Sequence, residues 1–126
     1  MNIMSLRHDT IKSFSYAFQG IRSAYKNEPN LTIHTIFAFF AILVGALLGV
    51  SRVEWLILIF TIFYVITLEL LNTVLEALVD LVSPEIKPYA KIAKDVSAAC
   101  VLLAALMSIA IGLIIFIPRI ILLLQK

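Results

Sequence analysis

Charge is scarce in this sequence. Asp, Glu, Lys and Arg make up 14% of its 126 residues, where a soluble domain carries about 25%. Hydrophobic residues make up 62%, so an integral-membrane protein is expected. The net charge of +2 is too small a surplus to suggest nucleic acid as a partner. The single cysteine, Cys100, stands in an apolar run. It cannot close an intrachain disulfide, and no Cys/His cluster with zinc spacing accompanies it. The four glycines, Gly20, Gly45, Gly49 and Gly112, form no phosphate loop, and GxxxxGK[ST] does not occur, so no soluble-nucleotide motif is present. No long polar tail is available for a second domain, and one domain over 1–126 is expected. Residues 1–26 lack a continuous apolar h-region, so no secretory signal is expected and the chain should be kept whole.

What the sequence does contain is a polar stripe in an apolar setting. After the run Val53 to Leu68 come Glu69, Asn72, Glu76 and Asp80. On a helix these four fall within roughly an 80° arc, stacked along two to three turns. Leu, Val, Ala and Thr73 fill the rest of that surface. Such a stripe is costly in a membrane helix unless something binds it.

The remaining chain reads as helices around that stripe, and the expected class is an all-α membrane protein. Residues 3–27 form an amphipathic helix, with Ile11, Phe14, Phe18, Ile21 and Tyr25 within an arc of about 80°. Lys12, Arg22 and Lys26, with Arg7, make a separate polar arc basic, which suits a membrane surface with anionic head groups. Asn27-Glu28-Pro29-Asn30 is a break, with Pro29 suited to the first turn of the next helix. Spans are expected at about 31–50, 53–81 and 90–124, each long enough to cross ~30 Å of hydrocarbon. Gly45 and Gly49 make a GxxxG pair that permits close helix packing. Trp55 is read as interfacial, and Pro118 as a kink or end of the last span.

Lysine and arginine set the orientation. Arg7, Lys12, Arg22, Lys26, Lys87, Lys91 and Lys94 lie at one side, and Arg52, Arg119 and Lys126 at the other. The excess places the N-terminus and the 82–90 loop in the cytoplasm. Glu69, roughly 24 Å along the helix from Val53, then lies near the cytoplasmic interface. Glu28, Glu76, Asp80 and Asp95 gather at the same level with Arg22, Lys87, Lys91 and Lys94.

Carboxylates in an open arrangement suit Mg²⁺, which takes few protein ligands and bridges to substrate phosphates. Basic side chains neutralise phosphates. A carboxylate at the lipid boundary can accept a hydroxyl proton. Together these groups suit phosphoryl transfer from a soluble nucleotide to a lipid hydroxyl. Two other readings stay open on the residues alone. An ion-coupled transporter would use an intramembrane acid, although the depth of Glu69 argues against it. A non-catalytic assembly protein would not need the acidic arc and Lys94-Asp95 at one level. For any one residue a solvated helix end is the plainer account, and a lone first-turn histidine such as His34 is more often structural than a ligand. Four polar groups on one arc are harder to explain that way.

The pattern Glu69-x-x-Asn72-Thr73-x-x-Glu76-x-x-x-Asp80, followed by Lys91-x-x-Lys94-Asp95-x-x-Ala98-Ala99-x-Val101-Leu102, resembles the prokaryotic diacylglycerol kinase family, which includes the undecaprenol kinases. Gly20-Ile21-Arg22-x-Ala24-Tyr25-x-Asn27-Glu28 extends the likeness upstream, so that it covers essentially the whole chain. The resemblance implies a homotrimer of surface helix plus three transmembrane helices, with sites built between subunits. It implies Glu69 as the general base, and Glu28 and Glu76 as holders of the Mg²⁺ bound to ATP. Asn72 and Asp80 would shape the nucleotide site, and Lys94 and Asp95 would contact the nucleotide, Lys94 on the phosphates. Tyr16, Glu85 and Lys87 match further nucleotide-contacting positions, and Arg22, Tyr25 and His34 lie on the lipid-substrate side. His34 stands where the diacylglycerol branch tends to carry an acid. With Ile117-Pro118-Arg119-Ile120 it follows the undecaprenol-type pattern. Thr32 stands where those sequences usually carry Arg, Asp9 replaces a basic residue, and Ala98 stands where some members have Ser. The expected activity is phosphorylation of undecaprenol at the cytoplasmic leaflet of a bacterial plasma membrane, feeding recycling of the cell-wall carrier. Diacylglycerol is the runner-up substrate.

Overall fold

Each helix begins or ends where local chemistry requires it. A computed structural model describes residues 3–85 and 87–125, with side chains from residue 10 onward. Arg7, Asp9 and Lys126, used above, lie outside the described side chains. Helix α1 runs Ile3–Asn27, α2 Pro29–Leu48, α3 Arg52–Val82 and α4 Pro88–Leu124. The predicted break at 27–30 shrinks to one residue. Glu28 is the N-cap of α2 in an extended conformation (φ −116, ψ 99), and Pro29 opens the helix. Proline is suited there because its missing N–H has no intrahelical partner at that position. The same logic starts α4 at Pro88. Ser51 and Glu54 open α3 with a reciprocal capping box: Ser51 N donates to Glu54 Oε2 at 2.6 Å, and Glu54 N donates to Ser51 Oγ at 3.3 Å.

The GxxxG expectation is corrected in part. Gly45 is a close-approach position, since a Cβ there would stand 3.2 Å from Cη2 of Trp55. Gly49 instead ends α2 in the left-handed conformation, φ +62, where a glycine carries no steric penalty. Of the two expectations at Pro118, the helix end is overturned, because α4 continues through it to Leu124. The turn beyond Pro118 is tied down by Arg119. Its guanidinium donates to both carboxylate oxygens of Glu54 and, at 2.8 Å, to the Gly49 carbonyl. One side chain of α4 thus holds the start of α3 and the end of α2.

α3 packs most extensively on α4 and next on α2, while among the described residues α1 touches α2 and α3. The interior is narrow, built from Leu31, Leu58, Val65, Val101, Ala104 and Ile115. Most large apolar side chains face outward, among them Phe37, Phe39, Phe60 and Phe63. Helices α2, α3 and α4 are long and apolar enough to cross a membrane. At about 1.5 Å per residue, the 31 residues of α3 outreach a hydrocarbon layer of ~30 Å.

Candidate active site

The polar stripe of α3 grades from buried to exposed. Glu69 is 2% exposed and Asn72 is 8% exposed, Glu76 is half-buried, and Asp80 is open to solvent. The gradient follows from helix geometry: each turn carries the stripe further past the neighbouring helices. Thr73 satisfies its hydroxyl locally on the Glu69 carbonyl at 3.1 Å.

Glu69 meets one partner from another helix. His34 Nε2, from the second turn of α2, lies 3.1 Å from Glu69 Oε1. Among the described residues Oε1 is buried with no other polar partner. Glu28 and Glu76 are close enough to act electrostatically on Glu69. Asn72 Nδ2 donates to Glu76 Oε1 at 2.8 Å, while Asn72 Oδ1 is buried and unpartnered. Glu28 does not cap α2 with its own side chain, so its carboxylate is left for other work at the elbow between α1 and α2.

On the solvent side, Lys94 of α4 reaches Asp80 of α3, Nζ to Oδ1 at 2.7 Å. Lys91 and Asp95 pair along α4 at 2.9 Å. The structure thus brings Glu28, His34, Glu69, Asn72, Glu76, Asp80 and Lys94 to one end of the bundle. Other predicted site residues are not drawn in. Tyr16 and Arg22 are exposed on α1, and Glu85 and Lys87 are exposed before α4. Tyr25 turns to α2, where its hydroxyl lies 2.5 Å from Thr35 Oγ1. Thr35 Oγ1 in turn donates to the Leu31 carbonyl at 2.8 Å.

Below His34 lies an apolar cavity of about 280 Å³ between α2, α3 and α4, bordered by Ile33, His34, Val65, Ser108 and Phe116. Its hydroxyls face their own backbones: Thr61 donates to the Ile57 carbonyl and Ser108 to that of Ala105, both at 2.7 Å. The wall is therefore hydrocarbon in character, with His34 at its polar end.

Sequence reasoning missed several of these relationships. The Asn72–Glu76 bond was available from i, i+4 spacing. The Arg119–Glu54 pair had a weaker signal: Glu54 is the one acid at its end of the molecule. Nothing in the spacing pairs His34 with Glu69, because they sit on different helices.

Residues 15–116 match the sequence profile of the prokaryotic diacylglycerol kinases. The chain belongs to the prokaryotic diacylglycerol kinase family. It is 40% identical over 108 residues to an undecaprenol kinase of Bacillus subtilis (strain 168), covering 86% of this chain and 88% of that one. It is 36% identical over 118 residues to a diacylglycerol kinase of Synechocystis, covering 93% and 67%. A diacylglycerol kinase of Escherichia coli (strain K12) is 29% identical over 99 residues, covering 79% and 81%. This chain is accordingly a multi-pass membrane lipid kinase, a phosphotransferase with an alcohol as acceptor.

The donor set can be compared with the Mg²⁺ that a kinase of this family would use with ATP. Among the described residues no group of three His, Cys, Asp or Glu side chains could hold a metal by itself. The chemistry still fits, because Mg²⁺ binds through one or two carboxylates plus substrate phosphates and water. Glu76, Glu28 and the unpartnered Asn72 Oδ1 are oxygen donors of that kind.

Proposed function

We propose that this chain phosphorylates undecaprenol with MgATP, the active site lying at the end of the bundle that carries Glu69. The observation behind the site is the burial of Glu69 beside His34, one turn from the Asn72–Glu76 pair. The similarity to the undecaprenol kinase of Bacillus subtilis, at 40% identity over 86% of the chain, favours that lipid. Diacylglycerol is the second reading, favoured by the relatives of that activity at 36% and 29% identity.

In this reading Glu69 takes the proton from the lipid hydroxyl. The oxygen lone pair forms the new bond to the γ-phosphorus of ATP. The bond from that phosphorus to the bridging oxygen breaks, and ADP leaves with its electron pair. Glu28 and Glu76 would hold Mg²⁺, which supplies charge neutralisation on the phosphates. Lys94 exchanges its Asp80 partner for phosphate oxygen, with Asp95 beside it. Arg22 and Tyr25 are read as contacts to the lipid substrate, and the apolar cavity below His34 suits a hydrocarbon chain.

Tyr16, Glu85 and Lys87 have no side-chain hydrogen bond or ion pair among the described residues. We read them as nucleotide contacts completed in a homotrimer, with each site shared between subunits. The lysine and arginine distribution supports a cytoplasmic N-terminus and active site. The test is a competition: purified protein with labelled ATP, undecaprenol and diacylglycerol together, and separation of the lipid products. Label mainly in undecaprenyl phosphate is expected. Label mainly in phosphatidic acid would move the assignment to diacylglycerol, and no labelled lipid would refute both.

A further inference from the structure

Burial leaves Glu69 dependent on very few neighbours. It is 2% exposed, and apart from His34 its Oε1 has no polar partner among the described residues. An ionised carboxylate withdrawn from water is costly without a partner. The nearby cations and amides are committed elsewhere: Lys94 to Asp80, Lys91 to Asp95, and the Asn72 amide to Glu76. Among the described residues His34 is the group at ion-pair distance, with Nε2 3.1 Å from Oε1. The imidazole also borders the apolar cavity, so it stands between that cavity and the carboxylate.

We propose that His34 is a positioning residue for Glu69. Its Nε2 holds Oε1, fixes the rotation of the carboxylate about its side-chain bonds, and leaves the other oxygen to the lipid hydroxyl. The proposal rests on the reading of Glu69 as the general base. A base works only within hydrogen-bond reach of the proton it takes, and a misplacement of about 1 Å costs about 10²-fold in rate. An acid on a long helix, with no other anchor on Oε1, is free to swing by that much. His34 comes from α2 and Glu69 from α3, so the contact also records the packing of those helices where the chemistry occurs. Its effect should therefore fall on turnover and leave the binding of either substrate unchanged.

The test uses the full chain in lipid nanodiscs, with kcat and KM measured for both lipid and MgATP. His34→Leu removes the nitrogen. His34→Gln places an amide nitrogen at about the reach of Nε2, and His34→Asn offers the same chemistry one methylene short. The Leu and Asn variants should lose about 100-fold in kcat with both KM values unchanged, and Gln should recover most of that loss. If His34→Leu does not fold, the contrast between Gln and Asn carries the test. Wild-type kcat in the Asn variant would overturn the proposal. So would a raised lipid KM with kcat retained, which would make His34 a lipid contact. Glu69→Gln is measured in parallel. If it stays active, the base reading itself fails. If it is inactive while the Leu and Asn variants keep wild-type kcat, only the positioning role fails.

Discussion

Lys94 Nζ lies 2.7 Å from Asp80 Oδ1 and joins α4 to α3 at the solvent-facing end of the polar stripe. Asp80 is exposed there and Lys94 partly so, and a solvent-accessible pair of this kind contributes little to stability. Its worth lies in where it keeps a lysine: beside Glu76, which acts on Lys94 electrostatically. Lys94→Met should therefore leave the melting temperature nearly unchanged and raise the KM for MgATP at least about tenfold, the loss of one charge-assisted phosphate contact. Thermal unfolding in detergent and ATP titration of the rate check the two halves. A large fall in melting temperature would mean that the pair is structural.

Glu69 is the residue whose loss should be least tolerated by the chemistry. Glu69→Gln keeps the shape and removes the basic oxygen, so lipid phosphorylation should fall by about 10²–10⁴-fold. Unaltered elution and melting would confirm that the fold survives. Undiminished lipid phosphate formation would remove Glu69 as base.

Glu28 and Glu76 come from different elements, the α1–α2 elbow and α3. If both hold Mg²⁺, Glu28→Gln and Glu76→Gln should each raise the Mg²⁺ concentration needed for half-maximal rate or abolish activity. Glu76→Gln should be the more severe, since it also disturbs the bond from Asn72. Mg²⁺ titrations of the two variants decide this, and unchanged dependence in both would sink the metal assignment.

Arg119 offers a prediction at the opposite end. It bonds Glu54 and the last carbonyls of α2, so Arg119→Ala removes a tie among three helices and leaves the Glu54 carboxylate with its capping role alone. The melting temperature should drop by several degrees, while KM for MgATP stays at the wild-type value in the folded fraction. A shift in that KM would show that the tie communicates with the site.

Gly49 closes α2 at φ +62. A residue with a Cβ in that region costs about 1–2 kcal/mol, and open space around Gly49 makes the backbone the sole obstacle. Gly49→Ala should destabilise by that amount, measured by unfolding, and Gly49→Asn by less because asparagine tolerates the left-handed region better.

The helices were legible in the sequence because their signals are local. Pro29 marks a helix start, and a run from Leu31 to Val50 has few options in its composition other than a span; the start at Pro88 and the Ser51–Glu54 cap carry signals just as local, which the sequence reading left unused. The arc from Glu69 to Asp80 was also legible, since 3.6-residue periodicity alone puts its members on one face. Pro118 and Gly49 were less so. Whether a proline ends a helix, and whether a glycine packs or terminates, depends on what lies across from it. Here that neighbour is Arg119's network in one case and no side chain in the other.

By itself, then, the sequence determined the class, the number of apolar helices and the polar stripe on one helix face, all consequences of periodicity and composition along one chain. Only the tertiary structure decided that His34 faces Glu69, that Lys94 sits on Asp80, that Tyr25 spends its hydroxyl on Thr35, and that Arg119 ties three helix ends together. Those contacts depend on how α2, α3 and α4 are rotated against one another. That rotation is set by the summed packing of residues such as Leu31, Leu58, Val101 and Gly45 against Trp55, and no short stretch of sequence carries it.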